Sequence, residues 1–219
     1  MMSRCAVCGW ETDVPPEPRE ESAEPPDFDT RPGEPLRSTL SAWVNACGHC
    51  GYCAADLSVS HPKLAEIVPA EAYQSIYLDE TMPPKAREFL CYAHLLDKTR
   101  EHADAGWSSL HAAWACDDIG DVQAGQRCRA QAIEYWKRGK HAGQAFSDDL
   151  ASEYALVSDL YRRMGDFELA LVTCSEALDL EDVPPVIEQV LRRQKALTER
   201  QDVAAHSIRE LLTPAPMVS

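Results

Sequence analysis

From Pro62 onward apolar residues recur every three to four positions; before it they do not. In PPKAREFLCYAHLLDKTREH, Ala86, Phe89, Leu90, Ala93 and Leu96 fall at helical spacing, and Pro83 and Pro84 suit a helix first turn. The pattern predicts a helix over 84–103. In WSSLHAAWACDD, Trp107, Leu110 and Trp114 share one face, Gly120-Asp121 breaks the helix, and VQAGQRCRAQAIEYWKRGK reads as its return partner. Over 151–184 one stripe holds Tyr154, Val157, Ser158, Tyr161 and Met164. Gly165-Asp166 turns the chain, and a second stripe holds Phe167, Ala170, Leu171, Cys174, Ala177 and Leu178. Asp182 is placed to cap a last helix beginning near Pro184. That helix buries Ile187, Val190, Leu191, Gln194 and Leu197 and trails through Ile208 and Leu211, as one bent helix or two.

The unit at 151–184 resembles a tetratricopeptide repeat in its 34-residue length, its Gly-Asp turn and its small Ala170, Ala177 and Ser158. It departs from that pattern at Tyr154, where Trp is usual, and at Asp182, where Pro is usual. The pair at 107–138 resembles the repeat loosely, through Gly120-Asp121 and Ala132. The expected fold is mainly α, with tetratricopeptide-like helical hairpins at 61–219 and a small β module at 1–60. The helix at 84–103, the C-terminal helix and the N-terminal module would close the two ends of the array.

The first 60 residues carry the candidate chemistry. Cys5-Ala6-Val7-Cys8-Gly9 and Cys47-Gly48-His49-Cys50-Gly51 share the form CxxCG. Two thiolates on one tight turn reach the same ion, backbone amides of the turn donate to the sulfurs, and the Gly permits the positive φ of a knuckle. Two such knuckles supply four sulfurs, a closed tetrahedral set, and Trp10 and Trp43-Val44 suit the hairpins of a zinc ribbon. The expected ligands are Cys5, Cys8, Cys47 and Cys50, and the expected metal is structural Zn²⁺, since four thiolates leave no open position for a catalytic water. An iron–sulfur centre also accepts four thiolates. The 38 residues between Cys8 and Cys47 exceed the usual ribbon interval. Doubling a loop costs only about 0.6 kcal/mol, however, against zinc binding on the order of 10 kcal/mol.

Cys53 has no following Gly and reads as a packed thiol; His49 reads as exposed. Cys174 falls on an apolar stripe, and Cys91 and His94 stand three apart with no acid to complete a site. His102, His111 and His141 have no partner visible in the sequence. Between the knuckles, VPPEPREESAEPPDFDTRPGEP at 14–35 is rich in Pro and Glu, has Phe28 almost alone among apolar residues, and reads as a solvated acidic loop.

Charge narrows the function classes. With 21 Lys and Arg against 36 Asp and Glu, the net charge is −15, which opposes nucleic-acid and anionic-membrane partners. No apolar run approaches bilayer length and the start lacks the apolar core of a signal peptide, so the expected compartment is the cytoplasm, where nine cysteines stay reduced. HExxH, GxSxG and Gly-rich phosphate loops are absent from the sequence.

Together these residues resemble an uncharacterised bacterial family, the domain of unknown function numbered twenty-two twenty-five. The residues that carry the likeness are Cys5, Cys8, Asp27-Phe28-Asp29, Trp43-Val44, Cys47 to Tyr52, and Asp159 to Phe167 with Ala170. Ala6 and Gly48 stand where that family often has Pro. The resemblance implies architecture and a metal, and no reaction. The leading expectation is a zinc-binding interaction or scaffold module, non-enzymatic, with a protein or peptide partner held in a helical groove. Arg162 and Arg163 read as a solvated helix face, with a carboxylate-gripping role as the alternative. Two other functions compete: an enzyme using Cys53 or the helix-borne histidines, and a nucleic-acid-binding ribbon supported by Arg192, Arg193 and Lys195.

Overall fold

In a computed structural model, residues 2–15 and 21–212 are described. Four short strands, β1 (Met2–Arg4), β2 (Glu11–Asp13), β3 (Asn45–Ala46) and β4 (Cys53–Ala54), form two antiparallel hairpins, β1 with β2 and β3 with β4. A 3-10 helix at Leu36–Ala42 lies between the hairpins in sequence. Among the described residues nine α-helices follow: α1 (Leu64–Ile67), α2 (Glu71–Tyr77), α3 (Pro84–Thr99), α4 (His102–Asp118), α5 (Val122–His141), α6 (Leu150–Met164), α7 (Phe167–Leu178), α8 (Pro185–Glu199) and α9 (Arg209–Leu212). The chain is mainly α with a small N-terminal strand module, as its periodicity predicts.

The helix boundaries follow local chemistry. Pro84 and Pro185 open α3 and α8 at positions where a missing N–H costs nothing. Asp121, Asp149 and Asp166 cap α5, α6 and α7 by accepting from the amides of Ala124, Ser152 and Leu169. Two expectations are corrected, and one open alternative is resolved. The helix drawn over 84–103 ends at Thr99, because Arg100 takes a left-handed conformation (φ 72°) and α4 begins two residues later. Asp182 caps nothing; Pro184 holds the N-cap of α8 and no side chain satisfies it. The C-terminal stretch is two helices, α8 and α9, not one bent helix.

The compact units fall otherwise than at residue 60. One comprises Met1–Arg19 with Ser38–Phe146, the other Glu20–Arg37 with Ser147–Ser219. The reason is that the strand hairpins share a core with α1 to α5, whereas the segment between the knuckles belongs with α6 to α9.

In the first unit, α4 is buried on most of its surface, with Ala105, Leu110, Trp114 and Cys116 inaccessible or nearly so. Ala93, Leu96, Ala105 and Tyr135 form one cluster there. In the second unit Ala155, Cys174, Ala177 and Leu191 form the centre, with Tyr154, Leu178, Val183 and Ile187 packed around it. Ser158 Oγ donates to the Ala170 carbonyl at 3.0 Å, so a small residue at 158 lets α6 and α7 approach closely. The buried stripe of α6 is nevertheless rotated from the expected one. Ala155, Leu156, Ser158, Asp159, Leu160 and Arg162 are inside, while Tyr154, Val157, Tyr161 and Met164 are half-buried.

The rotation follows from what covers α6. The acidic segment is not solvated throughout: Asp27, Phe28, Asp29 and Arg31 are all buried, while Glu21 to Glu24 and Glu34 are exposed as expected. Residues 16–20 of that stretch lie outside the described residues. Asp27 and Ser207 pair as an antiparallel bridge, flanked by Phe28 N–H to the His206 carbonyl and Ile208 N–H to the Pro26 carbonyl. Phe28 packs with Val190, Leu197, Ile208 and Leu211. Arg163 donates to Asp29 at 3.3 Å, and Arg37 pairs with Asp27 at 2.9 Å. Arg162, fully buried, is held by Asp159 at 2.7 Å and by the carbonyls of Asp202 and Ala204 at 2.6 and 2.9 Å. Neither arginine is part of a solvated face or free to grip a partner's carboxylate; both are spent inside the unit. Arg192 and Arg193 are likewise paired, with Glu188 and Glu210.

Candidate metal centre

The two CxxCG segments fold alike, offset by 42 positions (Cys5 to Cys47, Cys8 to Cys50). In the first, Cys5 N–H donates to the Trp10 carbonyl and Gly9 N–H to the Cys5 carbonyl, both at 2.8 Å. In the second, Cys47 N–H donates to the Tyr52 carbonyl at 2.8 Å and Gly51 N–H to the Cys47 carbonyl at 2.9 Å. Gly9 and Gly51 have φ of 74° and 75°, a region that costs a side chain of ordinary handedness, so the glycine after each second cysteine is required by the backbone. Gly51 has a second reason: a Cβ there would meet the Tyr77 ring at 3.0 Å.

These turns bring Cys5, Cys8, Cys47 and Cys50 together, with all four Sγ atoms within 4.8 Å of one another. Cys5 and Cys50 sulfurs are 3.7 Å apart, and Cys8 and Cys47 sulfurs 3.6 Å. A tetrahedron with metal–sulfur bonds of about 2.3 Å has edges of about 3.8 Å. The donor set therefore fits a single metal ion. A multinuclear cluster, which binds its thiolates through separate irons, would spread them further. Cys5 and Cys47 are buried, Cys50 is half-buried and Cys8 is exposed, so the site lies against the surface.

The amide dipoles are aimed at sulfur as a metal knuckle requires. Burial pushes the Cys5 thiol up, opposed by the amides of Cys8 and Val7. Burial also pushes Cys47 up, but the amides of Cys50 and His49 and the thiols of Cys8 and Cys5 outweigh it and bring it down to about 7. Burial, with the neighbouring thiols, drives Cys50 well up. Four thiolates so close cannot all ionise without a cation between them, which is the condition a divalent metal relieves.

The second knuckle has a support that the sequence does not announce. Tyr73 on α2 donates its hydroxyl to the Gly51 carbonyl and accepts from the Cys53 amide, both at 2.9 Å. A Tyr in the seven-residue helix EAYQSIY carries no sequence signal of this role. His49 is exposed and stacks on Trp10 at 5.2 Å between centroids, joining the two knuckles across their outer face.

Cys53 is not among the four. It is completely buried, donates to the Gly51 carbonyl at 3.3 Å, and lies against Cys91. Such a packed thiol, pushed well up by its Cys91 neighbour and by burial, offers a substrate no access. Cys174 is packed as expected, donating to the Leu191 carbonyl at 3.0 Å. Of the histidines, His102 meets Asp97 and His141 meets the Lys137 carbonyl. His94 lies against Tyr73, and His111 sits among aromatic rings. Among the described residues, no helix is long and apolar enough to cross a membrane. Compared with known protein families, with curated proteins and with solved structures, the chain matches none.

Proposed function

We propose that the protein is a zinc-binding interaction module in which the metal is structural. The observation that supports this reading is the convergence of four thiols from two glycine-closed knuckles to within 4.8 Å. All four positions of a tetrahedral ion are then filled by sulfur, so the metal's work is to hold the hairpins together rather than to activate water. Membership in the family numbered twenty-two twenty-five belongs to this proposal, as do the tetratricopeptide-like character of the α6–α7 hairpin and a protein or peptide partner. The enzymatic alternative loses its nucleophile, because Cys53 is fully enclosed. The nucleic-acid alternative is less favoured, because Arg192 and Arg193 stand beside Glu188 and Glu210 on a chain of net charge −15.

Metal analysis of the purified chain tests the reading. It should give one zinc per chain. Cys5→Ser and Cys47→Ser should lose it, and Cys53→Ser should keep it. Zinc retained by Cys47→Ser, or iron with visible charge-transfer absorption in place of zinc, overturns the assignment. For the interaction half, a chemically cross-linked pull-down with folded, zinc-loaded protein should recover a specific partner that the Cys47→Ser variant does not; recovery of none counts against it.

A further inference from the structure

A second site lies on the first unit, and none of its lining residues is one of the four cysteines. Helices α3 and α4, together with Trp43 at the end of the 3-10 helix, enclose a cavity of about 260 Å³. Its wall is aromatic: Trp43, Phe89, Tyr92 and Trp107 line it around His111. The ring centroids of Trp43, Phe89 and Trp107 lie 5.1, 5.6 and 6.4 Å from that of His111. The indoles are fixed from behind. Trp43 Nε1–H donates to Thr39 Oγ1 at 2.9 Å and Trp107 Nε1–H to the Phe146 carbonyl at 3.1 Å. Ser108 also lines the cavity, but its hydroxyl is committed to the Phe89 carbonyl at 2.8 Å. The two indole N–H groups and the Ser108 hydroxyl are thus committed to the scaffold, and rings make up half of the lining residues.

The charge at the cavity is one-sided. Glu101 and Asp104, from the start of α4, line it and are exposed to solvent. Among the described residues, no Lys or Arg forms an ion pair with either. Burial and then Glu101 hold the Asp104 carboxyl above its ordinary value. Burial, followed by Glu101 and Asp104, does the same to the Tyr92 hydroxyl. His111 adds no positive charge to oppose a cation, because burial brings it down to about 4 and leaves it neutral at neutral pH.

We propose that this cavity binds a trimethylammonium head group. Ring faces attract a cation within about 6 Å of their centroids, and unpaired carboxylates at the mouth supply the long-range attraction. The methylated form is favoured over a primary ammonium because it is more weakly hydrated and spreads its charge over methyl groups that pack against ring faces. The size agrees: drug-sized ligands fill about 300–1,000 Å³, and this space suits a head group alone. A neighbouring cavity of about 240 Å³ shares Tyr92, Leu96 and Glu101 with it, giving a ligand's stem a way out.

The test is a titration of the full, zinc-loaded chain followed by tryptophan fluorescence and calorimetry at fixed ionic strength. Tetramethylammonium should bind saturably, and choline should bind about tenfold more tightly than 3,3-dimethyl-1-butanol, its uncharged isostere. Asp104→Asn with Glu101→Gln, surface changes that leave the fold intact, should weaken the cation and leave the isostere unchanged. Trp107→Leu should abolish binding, with circular dichroism confirming that the chain remains folded. A peptide bearing trimethyllysine that binds more tightly than choline identifies a side chain as the source of the group; the reverse order identifies a free small molecule. Equal affinity for choline and its isostere, equal affinity for lysine and trimethyllysine, or no saturable binding to folded protein overturns the proposal. None of these results depends on the identity of the metal, so failure here leaves the metal reading standing.

Discussion

The two compact units each fasten a distant piece of chain, and they do so by opposite means. In the first, two knuckles 42 positions apart converge four sulfurs. In the second, a segment near residue 29 is held to α6 by one ion pair 134 positions apart in sequence, and to α8 and the residues after it by one buried phenyl ring. Sulfur donors around one ion give an all-or-none fastening, since removal of any ligand opens the tetrahedron. A buried charge network is graded: each pair offsets its own desolvation and little more, and breaking one partner leaves its mate uncompensated. The comparison teaches that the metal should govern whether the first unit folds, while the arginines govern how firmly the second holds its insert.

The largest effect should come from the metal. Chelation, or Cys47→Ser, should remove on the order of 10 kcal/mol of binding free energy from the first unit. Amide hydrogen exchange should show lost protection across β1 to β4 with that of α6 to α8 preserved. Loss spreading equally to α6 to α8 would break the comparison. Next, Arg162→Ala should cost about 3–5 kcal/mol, because Asp159 and two carbonyls lose their donor in a dry interior. Urea unfolding measures it, and the zinc content should not change. Phe28→Ala should cost about 3 kcal/mol by the same measurement, through the cavity left among Val190, Leu197, Ile208 and Leu211.

Acid provides a subtler contrast. His111 is held below its unfolded value of 6.5, to about 4. Its folded state takes up a proton less readily than its unfolded state. The contribution is therefore present above pH 6.5 and is lost as pH falls toward 4. The thermal midpoint should decline over that window, and His111→Phe should flatten the decline. An unchanged slope would show that groups other than His111, such as the partly buried His94, set the acid response. The smallest effect is Asp149→Ala, which removes the α6 cap on Ser152 and should cost about 1 kcal/mol; a thermal melt suffices to see it.

Local chemistry was legible and distant chemistry was not. The knuckles could be read because a CxxCG turn contains its own donors, acceptors and glycine. The hairpins α4–α5 and α6–α7 could be read because Gly-Asp turns and apolar spacing lie within a few residues of one another. The insert could not, because Asp27-Phe28-Asp29 in a Pro-rich stretch looks like solvent-facing chain until Arg163 is placed beside it. A signal was present in Asp159 and Arg162, three apart and flanking Leu160, on the side of α6 that also carries Ala155, Leu156 and Ser158. The aromatic cavity escaped for the same reason. Trp107 and Trp114 are visible on one face with Leu110, but His111 shows no partner in the sequence, and Trp43, Phe89 and Tyr92 come from two other elements.

The metal site and the insert are also linked by order along the chain. Residues 20–37 belong to the second unit, yet they lie between the two knuckles of the first. During synthesis Cys50 emerges about 100 residues before Asp159 and Arg162. The thiols can therefore close on their ion while the helices that will cover Phe28 and Asp29 do not yet exist. Closing the knuckles ties the two ends of the insert together and lowers the chain entropy that its later docking must overcome.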